Sequence, residues 1–206
     1  MILYSFEGAP NPRRVLIFAA EKGAPLEIRN VDIRKGEQKT PAFLARNPSG
    51  KIPVLELDDG TCIAESVAIC RYLESLHPHP NLFGEGPREV AQIEMRHRFI
   101  ELDLFNQVGV SWVNGPIVAA AGLVEPILAA KARSDELVRK CDRRLDKELG
   151  EWPFIAGRRY SVADITAYCC IEFASQLVGL EPDRQLTNLW AWHADMSMRD
   201  SVRRVG

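Results

Sequence analysis

The sequence has no Cys-x-x-Cys pair, although it carries five cysteines: Cys62, Cys70, Cys141, Cys169 and Cys170. A zinc ribbon and a redox centre on that spacing are therefore not expected. An odd number of thiols without framework spacing fits reduced cysteines in a cytoplasmic protein. Long apolar runs are also missing. None approaches the ~18 residues of a membrane span, and Met1 to Ser5 lack the basic segment of a secretory leader. No membrane partner is expected. Charge of one sign is not in excess: 26 Lys and Arg against 28 Asp and Glu give a net charge of −2. That argues against a broad nucleic-acid-binding surface. The four histidines, His77, His79, His97 and His193, show no metal-ligand spacing. No metal is expected, and they read as solvent-facing or capped side chains. Internal repeats and low-complexity tracts are absent as well.

What is present is an ordinary globular composition, 46% hydrophobic and 26% charged. At ~150 residues per domain, the length corresponds to about 1.4 domains. Residues 1–77 alternate between strand and helix patterns. Met1 to Phe6 reads as a buried strand. Asn11-Pro12 opens a helix with Asn as cap, ended by Gly23 and Pro25. Leu26 to Ile33 reads as a second strand whose alternation slips at Asn30-Val31, the mark of a bulge. Pro41 to Arg46 is a short helical piece. Asp58-Asp59-Gly60 joins two apolar runs into a hairpin, and Ser66 to Leu76 is helical. The order β-α-β-α-β-β-α is thioredoxin-like. Residues 78–86 read as a Pro-rich linker. Residues 87–206 contain no convincing strand: one long helix from Pro87 to Val113, another from Pro126 to Leu149, a third from Ser161 to about Val178, and two short ones. The fold class is α/β plus all-α.

Two helix starts in the first domain could hold an anion, because each presents unpaired N–H groups and a partial positive charge. One lies at Asn11-Pro12, with Arg13 and Arg14 in the same turn; a thiolate held there would have a lowered pKa. The other lies at Glu65-Ser66. Ser66 suits a carboxylate and Glu65 an ammonium group, together the head of an amino acid. Each alone is equally a simple cap. Between them, Ile52-Pro53 has the position of a cis peptide at a strand start, leaving the Ile52 backbone free to pair with an extended ligand. The alternative is an ordinary trans proline.

Four segments together resemble the cytosolic glutathione transferase family over nearly the full chain. They are Leu3-Tyr4-Ser5 through Pro10-Asn11-Pro12-Arg13-Arg14-Val15, Asn47-Pro48-Ser49-Gly50-Lys51-Ile52-Pro53-Val54-Leu55, Glu65-Ser66-Val67-Ala68-Ile69, and Ser161-Val162-Ala163-Asp164-Ile165. The resemblance implies an N-terminal thioredoxin-like domain and a C-terminal helical domain. It implies a transferase that activates the glutathione thiolate against a small hydrophobic electrophile, in detoxification, as a cytoplasmic homodimer. Glutathione is the implied co-substrate. Glu65 and Ser66 would hold its γ-glutamyl group, Ile52 beside Pro53 its cysteinyl group, and Lys51 and Gln38 the region of its glycyl carboxylate.

One position departs from the pattern. Where serine-type members carry the catalytic hydroxyl, this chain has Ala9. The candidates for stabilising the thiolate are then Asn11 first, Ser5 second and Tyr4 third, with the helix N-terminus itself as the alternative. The implied second-substrate pocket, between the domains, would take Phe6, Glu7, Phe105, Val108 and Trp112, although core packing competes for the helical residues. A disulfide reductase, a lyase or isomerase, and a non-catalytic binding protein of the same fold are the rival functions. Ser161 and Asp164 read as a capping box, whose loss should damage folding.

Overall fold

A computed structural model describes residues 1–205. A four-stranded mixed sheet has the order β2-β1-β3-β4, with β1 at Ile2–Ser5, β2 at Glu27–Asn30, β3 at Val54–Glu56 and β4 at Cys62–Ala64. β2 is parallel to β1, while β3 and β4 form the antiparallel hairpin. α1 (Pro10–Lys22) connects β1 to β2, α2 (Pro41–Leu44) precedes β3, and α3 (Ser66–Leu76) follows β4. This is the thioredoxin-like order that the apolar runs imply.

Side-chain alternation along β1 sorts the candidate residues. Tyr4 packs with Val31, Val54 and Phe43 of α2. Leu3 and Ser5 therefore face the other way, and both are buried. β2 is shorter than its apolar pattern suggests. It ends at Asn30, and the phase change at Val31 is the strand's end, not a bulge. There Asp32 accepts from the Arg34 N–H at 3.0 Å and starts a tight turn at Ile33–Lys35.

Contacts divide the chain into two compact units: Met1–Leu82 with the segment from Asp200 onward, and Phe83–Arg199. The last helix, α10 (Asp200–Arg203), thus belongs with the first unit and not with the helical remainder. It packs on α1, and the Ser201 hydroxyl donates to Glu21 at 2.5 Å.

The helical unit contains α4 (Gly86–Phe99), α5 (Asn106–Val113), α6 (Pro116–Ala120), α7 (Leu128–Leu149), α8 (Val162–Phe173) and α9 (Thr187–Ser197). The expected single helix from Pro87 to Val113 carries a π-helical stretch at Ile100–Phe105 that separates α4 from α5. A second π stretch, Ala174–Val178, closes α8 before Gly179, whose φ of 75° terminates it. No helix among the described residues is long and apolar enough to cross a membrane.

α8 is the axis of this unit, with Val162 through Ile171 all buried. His97 of α4 is fully buried against it, which corrects the solvent-facing alternative for that histidine. Its Nε2 lies 2.9 Å from Thr166 Oγ1. The Thr166 hydroxyl donates to the Val162 carbonyl, so the proton between the two side chains sits on His97 Nε2.

Asp142 of α7 is buried, and burial pushes its carboxyl up to about 7 despite Arg143 and Arg139. Its folded value lies above its unfolded one. Its contribution to stability is therefore fully present below about pH 4 and lost as pH rises through about 7. Asp142→Asn should remove this dependence. The difference in urea-unfolding free energy between variant and unaltered protein should grow in the variant's favour from pH 4 to 7, by up to about 4 kcal/mol, and then stay constant. A pH-independent difference would contradict the assignment.

Candidate functional site

α1 begins two residues earlier than the Asn-Pro pattern suggests. Ala9 occupies the cap position and its side chain caps nothing, while Pro10 opens the helix. Asn11 is therefore inside the first turn, and its amide is not committed to capping. It accepts instead, through Oδ1, from the Ser66 hydroxyl at 3.4 Å. Arg14, one turn further along, is buried and donates from Nη1 to the same Ser66 Oγ at 3.0 Å. A guanidinium has only donors, so Ser66 accepts from Arg14 and its single proton points to Asn11. The Asn11 nitrogen is then the end of the amide turned away from Ser66.

Ser66 reaches this position through an unusual backbone. Glu65 is the one non-glycine among the described residues with positive φ, at 67°. That conformation turns the chain sharply from β4 into α3. It leaves the Glu65 side chain exposed and makes Ser66 the first helical residue. The Ser66 N–H then has no intrahelical acceptor. Two helix N-termini and three polar side chains meet here, which sequence spacing alone could not establish.

The Ile52-Pro53 peptide is cis. Pairing of β3 with β1 ends at Val54, opposite Tyr4, so Ile52 lies outside the ladder. The preceding turn is held by buried Asn47, which donates to the Lys51 carbonyl at 2.8 Å and accepts from the Ser49 N–H and hydroxyl. Gly50 has a φ of 59°, and a Cβ there would lie 2.8 Å from Lys39 Nζ and 3.0 Å from the Gln38 carbonyl. This close approach brings Gln38 and Lys39 against the segment that ends in Lys51. Lys39 is a site candidate that the sequence reading missed; Gly50 was its signal. The Gln38 amide donates to the Ile33 carbonyl at 3.3 Å, and its Oε1 is buried without a hydrogen-bond partner.

Tyr4 does not join this group. Its hydroxyl donates to Glu56 at 2.8 Å, on the face of the sheet that carries Phe43. Arg46 also bonds Glu56, at 2.6 Å, and these two bonds, Arg46's the larger, hold the Glu56 carboxyl below its ordinary value. Strand alternation separates Tyr4 from Ser5, and only Ser5 lies on the opposite face. Phe6 lies under the Arg34 guanidinium at 5.2 Å, and Glu7 is exposed. In the helical unit Val108 is a core residue, because α5 turns it inward. Phe105 is half-buried, and Trp112 packs edge-on against Phe173 at 5.2 Å. A cavity of about 830 Å³ in the helical unit is lined by Arg88, Glu89, Arg96, Glu148, Trp152 and Arg159, among others. Two of its charged pairs are Arg96 with Glu148 and Arg159 with Glu89.

None of the cysteines is placed as a primed nucleophile. Burial pushes the Cys141 thiol up to about 11 and raises that of Cys62, while Cys70, Cys169 and Cys170 are buried. No group of three or more potential metal ligands occurs among the described residues.

The glutathione S-transferase N-terminal domain matches residues 9–76, and the glutathione S-transferase C-terminal domain matches residues 129–195. Glutathione S-transferase 2 of Saccharomyces cerevisiae is 37% identical over 100% of this chain and 89% of that protein. The crystal structure of Gtt2 from Saccharomyces cerevisiae is similar with a TM-score of 0.90 at 35% identity, covering 100% of both chains. Elongation factor 1-gamma of Artemia salina is 32% identical over 91% of this chain, but that match spans only 42% of the longer protein. The sheet order, the Arg14–Ser66–Asn11 cluster and these full-length similarities lead to one assignment: the chain belongs to the glutathione S-transferase family.

Proposed function

We propose that the protein is a glutathione transferase whose reactive sulfur arrives with the ligand. The observation that carries this reading is the meeting of Asn11, Arg14 and Ser66 at two helix N-termini. The γ-glutamyl carboxylate would take the Ser66 hydroxyl and N–H, and the exposed Glu65 would take the ammonium group. The Ile52 backbone would pair with the cysteinyl group as an added strand does. Lys39, Lys51 and Gln38 would hold the glycyl end. The thiol then loses its proton to solvent, and the Asn11 amide N–H donates to the sulfur anion. The thiolate attacks a small electrophile, which Phe6, Glu7, Phe105 and Trp112 are proposed to contact. Ser5 is the second choice for the donor role. A cytoplasmic homodimer is part of the same proposal.

The test is a titration of thiolate absorbance with glutathione bound. The expected thiol pKa lies clearly below the ordinary cysteine value of about 8.5. Absence of binding, or an unshifted titration, would remove the transferase reading. Ala9 favours one second reading, a binding protein without turnover. That reading predicts bound glutathione and no product with a broad panel of electrophiles.

A further inference from the structure

Ser66 has one proton and, in this structure, two partners. Arg14 Nη1 donates to its oxygen at 3.0 Å, and its own proton goes to Asn11 Oδ1 at 3.4 Å. Arg14 is 1% exposed and Ser66 5% exposed, so neither side chain exchanges its partner freely with water. The Arg14 bond occupies the oxygen's acceptor side and fixes where the oxygen sits. The hydroxyl proton can then reach only what lies beyond Asn11 or in front of the α3 N-terminus.

We propose that Arg14 is a positioning residue that acts through Ser66 to tie carboxylate recognition to the orientation of the Asn11 amide. This rests on the glutathione reading given above. A carboxylate arriving at the α3 N-terminus competes with Asn11 Oδ1 for the single Ser66 proton. It prevails, because a hydrogen bond to an ionised acceptor is roughly twice as strong as one to a neutral amide, and the bond to Asn11 is already long. The Asn11 amide is thereby released from Ser66 and free to aim its N–H at the sulfur. Arg14 touches neither end of the ligand. Its contribution is to keep Ser66 Oγ in place while its proton changes partner.

A double-variant cycle with a spectroscopic readout tests this. Arg14→Met and Ser66→Ala should each raise KM for glutathione about tenfold, the equivalent of losing one hydrogen bond to a charged group. Arg14→Met should also move the bound-thiol pKa upward, because a Ser66 no longer held in place keeps its proton on Asn11; Ser66→Ala, which leaves Asn11 without that bond, should not. The double variant should be no worse than Ser66→Ala, since the proposed coupling runs through Ser66. Arg14→Lys, which keeps a buried cation with donors only, should recover most of both quantities. Losses that add in the double variant, or an Arg14→Met protein with unaltered KM and thiol pKa, would overturn the proposal. If circular dichroism shows Arg14→Met unfolded, the cycle is run with Arg14→Lys, whose smaller effect must vanish in the Ser66→Ala background. Failure of the unaltered protein to bind glutathione would instead overturn the functional reading, and this inference with it; binding with additive losses overturns the inference alone.

Discussion

Asp164→Ala is expected to destabilise the protein by about 3–5 kcal/mol, the largest single loss anticipated from any substitution considered. The carboxylate is completely buried and accepts four hydrogen bonds. Oδ1 takes the Ile155 N–H at 2.8 Å and the Trp192 indole N–H at 3.1 Å. Oδ2 takes the Ser161 N–H at 2.9 Å and the Ser161 hydroxyl at 3.1 Å. Removing the acceptor leaves these donors buried without partners, which costs far more than the ~1 kcal/mol of a lost helix cap. For a chain of this size the melting temperature should fall by roughly 6–20 °C. Asp164→Asn should lie in between. Its carbonyl can serve Ile155 and Trp192, but its amide nitrogen faces the Ser161 N–H. Thermal melts of the three proteins give the order directly; equal melting points for Asp164→Ala and the unaltered protein would refute the argument. Burial raises the Asp164 carboxyl to about 6 against these bonds. Its contribution to stability is therefore greatest below about pH 4 and diminishes as pH rises through about 6.

Asn11→Ala should lower kcat/KM for glutathione conjugation about tenfold to a hundredfold while leaving KM for glutathione nearly unchanged. The two halves of this expectation have separate causes. The lost amide N–H is the donor assigned to the sulfur anion, so the bound-thiol pKa should rise towards that of free glutathione. The lost Oδ1 is Ser66's partner in the unliganded protein. Its removal leaves the Ser66 hydroxyl more available to the γ-glutamyl carboxylate, so binding does not suffer. Initial rates at saturating and limiting glutathione separate the two terms. Full turnover in Asn11→Ala would move the role to Ser5 or to the N–H groups at the start of α1.

The thioredoxin-like order was legible because each of its elements carries a local signal. Proline stands at the start of α1, Gly23 ends it, and Asp59-Gly60 lies within the hairpin turn. The same local signals misplaced details that depend on one residue. Asn11 looks like a cap from its residue type, yet Pro10 can open the helix without losing a needed N–H, and it does. That shift frees the Asn11 side chain for Ser66. The bond between Arg14 and Ser66 spans 52 residues of sequence, and no periodicity in either segment encodes it. Tyr4 could be set apart from Ser5 by strand alternation, but its partner Glu56 became visible only with the β1–β3 register. The π stretches at Ile100–Phe105 and Ala174–Val178 leave the apolar pattern helical, so their boundaries were not readable.

The return of α10 to the first unit has a consequence for the order of events during synthesis. Val202 is buried and Ser201 bonds Glu21 at the end of α1. The sheet and its helices emerge first, but the surface of α1 that receives α10 stays open until the chain has been made as far as Val202. The first unit is therefore begun at β1 and completed only once α10 has been made, with the whole helical unit made in between. A fragment cut at Leu82 would contain every strand and every proposed glutathione contact, and would still lack part of the unit that carries them.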